Sequence, residues 1–307
     1  MTFESCYNSA PTILMEGALG ERLKREYGLA FDEKVAMASL IYNERSRAAL
    51  KNIWEEYISV AAAYHLPFIA TTPTRRANKE RVLNSKYDES IIQDNIQFLK
   101  QIQQTSKIEM YIGGLMGCKG DAYKATNILS IHEAMDFHSW QAELFKAAGA
   151  DFLYAGIMPA LPESIGMAKA MEETGLPYII SFMIHKNGRL IDGTTIHDAI
   201  KEIDHKTLRK PLCYMSNCVH PLVLKEALTY SFNNTELVKK RFHGLQANTS
   251  PLSPEELDDC ADLRTSDSVD LAENMMDLNK FVTMKIYGGC CGTSKLHMQE
   301  IAKRLAD

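Results

Sequence analysis

Cysteine is scarce here, with seven thiols in 307 residues. The number is odd and the spacing irregular, which excludes a disulfide framework, suits a reducing compartment and leaves thiols available for metal binding or catalysis. Long apolar runs are missing as well. No stretch approaches the ~18 uninterrupted apolar residues of a membrane span, and the opening "MTFESCYNSAPTILMEG" has no basic segment followed by an apolar one, as a secretory leader would. These absences predict a cytoplasmic protein with no membrane partner. Neither sign of charge is in large excess, at 34 Lys plus Arg against 39 Asp plus Glu. There is no long basic stripe to neutralise a row of phosphates, so nucleic acid is excluded as a partner. No low-complexity linker or shift of composition divides the chain, and residues 1–307 read as one domain, a length that a single α/β barrel routinely uses.

What is present is alternation. Short apolar or β-branched runs fall at 12–16, 67–72, 108–114, 151–156, 177–183, 212–217, 241–248 and 282–289. Between and after them lie amphipathic helical patterns at 47–65, 88–105, 131–149, 162–175, 194–204, 220–230, 254–279 (broken) and 294–306, several ending at glycine. Strand and helix in strict turn imply parallel βαβ units, and eight such units are the number that closes an α/β (β/α)8 TIM barrel. A doubly wound open sheet is the alternative. It would carry a G-x-G-x-x-G fingerprint after its first strand, whereas "MEGALGERL" (15–23) supplies Gly17 and Gly20 without that spacing. Polar insertions after the first strand and around 249–268 read as barrel loops.

In such a barrel the carboxyl ends of the strands converge on one mouth, where active sites lie. The sixth strand ends in "SNC" (216–218) and the eighth in "GGCC" (288–291), so Cys218, Cys290 and Cys291 are expected on the same rim. Three thiolates suit zinc, and three protein ligands leave the fourth position open, the pattern of a catalytic site. Adjacent side chains on a regular strand face opposite ways. Cys290 and Cys291 can therefore share one ion only if the backbone bends, which Gly288, Gly289 and Gly292 would permit. Three thiolates outweigh the +2 of zinc and leave the site at a net charge of about −1, suited to holding a substrate thiolate that stays nucleophilic while lowering its pKa from about 8.5.

The other reading of Cys290 and Cys291, a buried or disulfide-linked pair, is opposed by the flanking glycines and by the strain of a vicinal disulfide. Cys6, Cys118, Cys213 and Cys260 are assigned to packing or surface, with Cys118 in "GGLMGCKGD" an alternative ligand near the mouth. His220 in "VHP" reads as a helix start. Glu16, at the end of the first strand, is expected to face the mouth. The run "RRANKER" (75–81) is either a solvated loop or the place where Arg75 or Arg76 meets a substrate carboxylate. Tyr154 and Tyr287 either pack the core or face a cationic methyl donor.

The segments "SNC" (216–218), "GGCCGTS" with "KLHMQEIA" (288–302) and "ILMEGALGERLKREYGL" (13–29) together resemble the homocysteine S-methyltransferase family. Further similarity lies in "ATTPTRRAN" (70–78), "HSWQAELFKAAGADFL" (138–153) and "NGRLIDGTTIHDAI" (187–200), so it spans nearly the whole chain. The resemblance implies a (β/α)8 barrel, zinc held by Cys218, Cys290 and Cys291, and methyl transfer to homocysteine to give methionine, a step of methionine biosynthesis. It also implies substrate contacts from Glu16, Thr72, Gly156 and Asn217. Three positions depart from the family pattern. Glu16 stands in place of an aspartate, Thr71 and Thr72 in place of a Thr-Asn pair, and Gly156 and Ile157 in place of a Glu-Thr pair whose carboxylate grips the homocysteine amino group. Loss of that carboxylate removes a charge-assisted contact worth roughly 1.5–3 kcal/mol, which leaves the thiol acceptor open. With one barrel and no residues for a cobalamin or folate module, the donor is a free small molecule or a separate protein. S-methylmethionine or S-adenosylmethionine comes first, betaine next. Methyl transfer to another thiol, or a non-catalytic zinc-binding barrel, would fit the same residues, and a homo-oligomer is compatible with them.

Overall fold

In the structure, a computed structural model that describes residues 1–125, 127–251 and 266–306, the eight apolar runs form eight strands. These are β1 (Ile13–Met15), β2 (Phe68–Thr71), β3 (Met110–Gly117), β4 (Phe152–Met158), β5 (Tyr178–Phe182), β6 (Cys213–Val219), β7 (Phe242–Ala247) and β8 (Ile286–Gly289). They pair in chain order, every neighbour parallel, and β8 returns to β1 through Ile13 opposite Ile286, closing the expected barrel. Every residue of β6 is buried, as a strand covered on both faces must be, and that is why these runs are apolar throughout rather than alternating.

Among the described residues the α-helices, in chain order, are α1 (Phe3–Ser9), α2 (Gly20–Tyr27), α3 (Glu44–Ala63), α4 (Lys79–Leu83), α5 (Ser90–Thr105), α6 (Ile131–Ala148), α7 (Leu161–Glu173), α8 (Ile196–Lys206), α9 (Pro221–Thr229), α10 (Glu236–Arg241), α11 (Ser268–Asp277) and α12 (Lys295–Ala306). Seven of the eight expected patterns are matched to within a few residues, by α3, α5, α6, α7, α8, α9 and α12; the eighth is the broken one. Of the 254–279 pattern, α11 is helical while 252–265 lies outside the described residues. Local chemistry sets the ends: Ser130 and Glu133 form a capping box at the start of α6, and Gly149 closes it in the left-handed region at φ +78°. None of the helices among the described residues is long and apolar enough to cross a membrane.

Two apolar layers result. One lies between strands and helices; the other fills the barrel interior with Ile13, Met15, Ile69, Phe152, Tyr154 and Ile286, among others. The amino end of the interior is stoppered by α1, which the apolar periodicity does not reveal. Phe3 lies against Phe152 with ring centroids 4.1 Å apart, the Tyr7 hydroxyl meets His243 Nδ1 at 2.5 Å, and Lys285 donates to the Tyr7 carbonyl at 2.6 Å. With that end filled, the space for chemistry is at the carboxyl ends of the strands. The loop after β1 is braced there by Arg22, which is buried and pairs with Glu26 and Glu56, and by Tyr57, whose hydroxyl donates to the Ala18 carbonyl at 2.7 Å.

Candidate metal centre and the cavity around it

Cys218 belongs to β6, yet its side chain and that of the preceding Asn217 both line one cavity, which a regular strand forbids. The reason is a bulge: the pairing of β6 with β7 shifts register between Asn217 and Val219, and Cys218 stands in the left-handed region at φ +61°. A non-glycine residue in that region costs about 1–3 kcal/mol and persists only where its surroundings impose it. The same device recurs on β4, where the register shifts between Ala155 and Met158 and Ile157 takes φ +54°. Asn217 couples the two bulges. Its Oδ1 accepts from the Ile157 amide at 2.8 Å and from the Ser181 hydroxyl at 2.6 Å.

Cys290 and Cys291 follow β8. The Cys290 amide donates to the Ala247 carbonyl at 2.7 Å, and the Thr293 amide returns to the Cys290 carbonyl at 3.1 Å, which closes a four-residue turn. Gly292, third in that turn, has φ +81°, the value that a type II turn demands and that favours glycine. A Cβ there would run into the Thr249 side chain. The bend therefore sits at Gly292. Gly288 and Gly289 remain in the strand and serve a different need, because a Cβ on Gly288 would lie 2.9 Å from Met15 Cβ and one on Gly289 2.8 Å from Thr293 Cβ.

The result is a compact trio. The Cys218 and Cys291 sulfurs are 3.7 Å apart, those of Cys290 and Cys291 4.0 Å, and all three lie within 4.8 Å of one another. All three thiols are free. Tetrahedral zinc with sulfur at about 2.3 Å places its ligands about 3.8 Å from each other, so the donor set and its spacing fit that ion. No other group of three His, Cys, Asp or Glu side chains among the described residues offers such a ligand set. Cys218 is buried, Cys290 half-buried and Cys291 exposed, so the open side faces the cavity. Hydrogen bonds from Cys290, Cys291 and Tyr123, with the nearby charge of Arg75, hold the Cys218 thiol well below its ordinary value, against its burial. Its two neighbours are pushed up, first by their bonds to Cys218. Tyr123, whose hydroxyl is 3.4 Å from the Cys218 sulfur, lies outside regular structure and has no pattern by which sequence reasoning would find it.

The cavity measures 460 Å³. Glu16 enters it from the end of β1, buried, with Oε2 accepting from Trp54 Nε1 at 2.7 Å and from the Thr71 amide at 3.0 Å, and Oε1 from the Thr71 hydroxyl at 2.5 Å. Burial pushes its carboxyl up to about 7 despite those three donors. Asn217, Tyr154 and Ile157 also line the cavity, and the Tyr154 hydroxyl donates to Gln246 Oε1 at 2.8 Å.

Several expected residues fall elsewhere. Thr72 faces away: its hydroxyl lies 2.7 Å from that of Thr74 and accepts from the Leu115 amide at 3.1 Å, because the two-residue period of the strand gives the cavity face to Thr71. Gly156 is buried in β4 opposite Gly117, and the residue that reaches the cavity is Ile157, turned inward by the bulge. Tyr287 packs outward and accepts from Asn279. Cys118 bonds weakly to the Gly120 carbonyl, apart from the trio; Cys6 and Cys213 fill the barrel's lower interior, and Cys260 lies outside the described residues. His220 caps α9, its Nδ1 accepting from the Leu222 amide at 3.2 Å.

A family profile described as homocysteine S-methyltransferase matches residues 13–305. Among solved structures, the homocysteine methyltransferase MmuM from Escherichia coli superimposes in its oxidised form with a TM-score of 0.75 at 16% identity, covering 97% of both chains. Its metallated form gives 0.74 at 17% identity over 98% of both. At those identities the likeness is one of fold. No curated protein sequence matches.

Proposed function

Because the chain belongs to the homocysteine S-methyltransferase family, and is thus a methyltransferase acting on a thiol, we propose that Cys218, Cys290 and Cys291 hold a zinc ion at which a small thiol, homocysteine in the family's own name, is methylated. The observation that carries this reading is the meeting of three free sulfurs from β6 and the β8 turn, at tetrahedral spacing, on the wall of a 460 Å³ cavity. When bound, zinc supplies ionisation of the acceptor thiol near neutral pH.

The remaining chemistry is displacement at carbon. An acceptor sulfur lone pair forms the new S–CH₃ bond while the bond from that methyl to the donor breaks, its electron pair leaving with the donor, and the thiol proton goes to solvent. A sulfonium donor such as S-methylmethionine or S-adenosylmethionine, or next the quaternary ammonium betaine, departs as a group needing no proton. Tyr154 lines the cavity and is the aromatic residue that would meet such a cation, whereas Phe31, also on the wall, already has Lys24 over its ring at 4.9 Å. Glu16 and Asn217 orient the acceptor, Glu16 through the lone pair on Oε1 that its protein partners leave open and Asn217 through Nδ2. Six free cysteines among the described residues agree with a reducing, cytoplasmic setting.

The test is incubation of zinc-loaded protein with homocysteine and each donor in turn, following methionine by mass spectrometry. Methionine formation that depends on zinc and is lost in Cys218→Ala is the expected result. A zinc-replete protein that methylates no thiol with any of the three donors contradicts the reading.

A further inference from the structure

Two carboxylates, two arginines and Lys24 line the cavity beside the cysteine trio; Lys24 lies over the Phe31 ring at 4.9 Å, while the carboxylates and the arginines are in opposite circumstances. Glu16 already accepts three protein hydrogen bonds, and burial pushes its carboxyl up, against the charged form. Glu21 accepts from the Gly292 amide at 2.5 Å and pairs with Arg25 at 2.9 Å. Gly156 adds no acidic side chain. Arg75 and Arg76, by contrast, are half-buried on the cavity wall, and neither has a hydrogen-bond or ion-pair partner among the described residues. Negative charge is near them, at Cys218 for Arg75 and at Cys118 and Asp121 for Arg76, but no acceptor among the described residues meets their donors, and an acid group with two oxygens is the partner that a guanidinium fork fits. An ammonium entering the same space would meet three cations, Lys24, Arg75 and Arg76, and at most one open lone pair on Glu16.

We propose that Arg75 and Arg76 form an acid-group subsite, and that the acceptor is a small mercapto-acid recognised through its carboxylate, with an α-ammonium group dispensable. The inference rests on the thiol methyl-transfer reading and adds to it the class of thiol. The sulfur would sit at the cysteine trio and the acid group at the arginines, across one cavity.

The test uses homocysteine stripped of one charged group at a time. Zinc-loaded protein is titrated calorimetrically with homocysteine, with 4-mercaptobutyrate, which lacks the amine, with 3-aminopropane-1-thiol, which lacks the carboxylate, and with 1-propanethiol, which lacks both. The proposal expects 4-mercaptobutyrate to bind at least as tightly as homocysteine and 3-aminopropane-1-thiol at least about tenfold more weakly, the scale of one charge-assisted contact. In the zinc-loaded double variant Arg75→Met/Arg76→Met, 4-mercaptobutyrate should lose about tenfold or more beyond any loss that 1-propanethiol shows. Unaltered 4-mercaptobutyrate binding in that variant, or tighter binding of the amine-bearing thiol than of the acid, overturns the proposal while leaving methyl transfer to a thiol intact. Failure of all four thiols to bind overturns the methyl-transfer reading together with this one.

Discussion

Glu16 gives up its hydration to sit between Trp54 and Thr71, and three hydrogen bonds only partly make good the loss. Its carboxyl therefore titrates near 7 in the folded protein against 4.5 in the unfolded chain, so between those values the native state keeps a proton that the unfolded state releases. The stability that goes with this proton is present in full below pH 4.5 and is lost as pH rises through 7. The difference corresponds to about 3 kcal/mol. Glu16→Gln keeps an oxygen for Trp54 and the Thr71 amide but cannot titrate. In urea unfolding of metal-free protein, wild type should lose about 3 kcal/mol relative to this variant between pH 4.5 and pH 8. Parallel pH profiles for the two proteins would contradict the burial argument.

At the scale of the element, the site is made by departures from regularity. Bulges at Ile157 and Cys218 and a glycine turn at 290–293 each re-aim side chains that a plain strand would divide between two faces. Gly292→Ala tests the turn, since alanine would have to adopt φ +81° with its methyl against Thr249. We expect it to destabilise the protein by about 1–3 kcal/mol in denaturant unfolding and to weaken zinc retention in a competition assay with a chelator. Stability and zinc affinity both equal to wild type would mean that the turn does not need its glycine.

The same irregularities mark where sequence reasoning stops. Alternating apolar runs reveal eight strands because burial on both faces demands them, and strand ends reveal which cysteines meet because a closed barrel gathers those ends. A bulge leaves no such trace. Cys218 and Ile157 are ordinary strand residues by composition, and their left-handed conformations are imposed by partners remote in sequence, such as Asn217 on the Ile157 amide. The bulge is why Ile157 and not Gly156 lines the cavity, whereas Thr71 lines it instead of Thr72 by the ordinary alternation of β2: each lies one residue from its expected place, and one residue is enough to change faces. The stopper helix α1 leaves no periodic signal because seven residues are too few for a helical period to show, and its partners, Phe152 and His243, lie far along the chain.

For the whole molecule, the barrel is a frame that brings β6 and β8 to one rim, and a bound ion would tie those segments together. An ion that binds the folded chain and not the unfolded one adds stability in proportion to the logarithm of its excess, about 2.7 kcal/mol at a hundredfold excess over Kd. Adding zinc to metal-free protein should raise the unfolding midpoint, and in Cys218→Ala it should not. Equal shifts in both proteins would place the stabilising ion elsewhere.

The central claim is that three cysteines hold one zinc ion and leave a position for the acceptor's sulfur. Zinc K-edge X-ray absorption of the loaded protein tests it directly. The account predicts three sulfur neighbours at about 2.3 Å plus one lighter atom, changing to four sulfurs when the acceptor thiol is added. Fewer than three sulfurs in the resting protein, or a spectrum indifferent to the thiol, would contradict it.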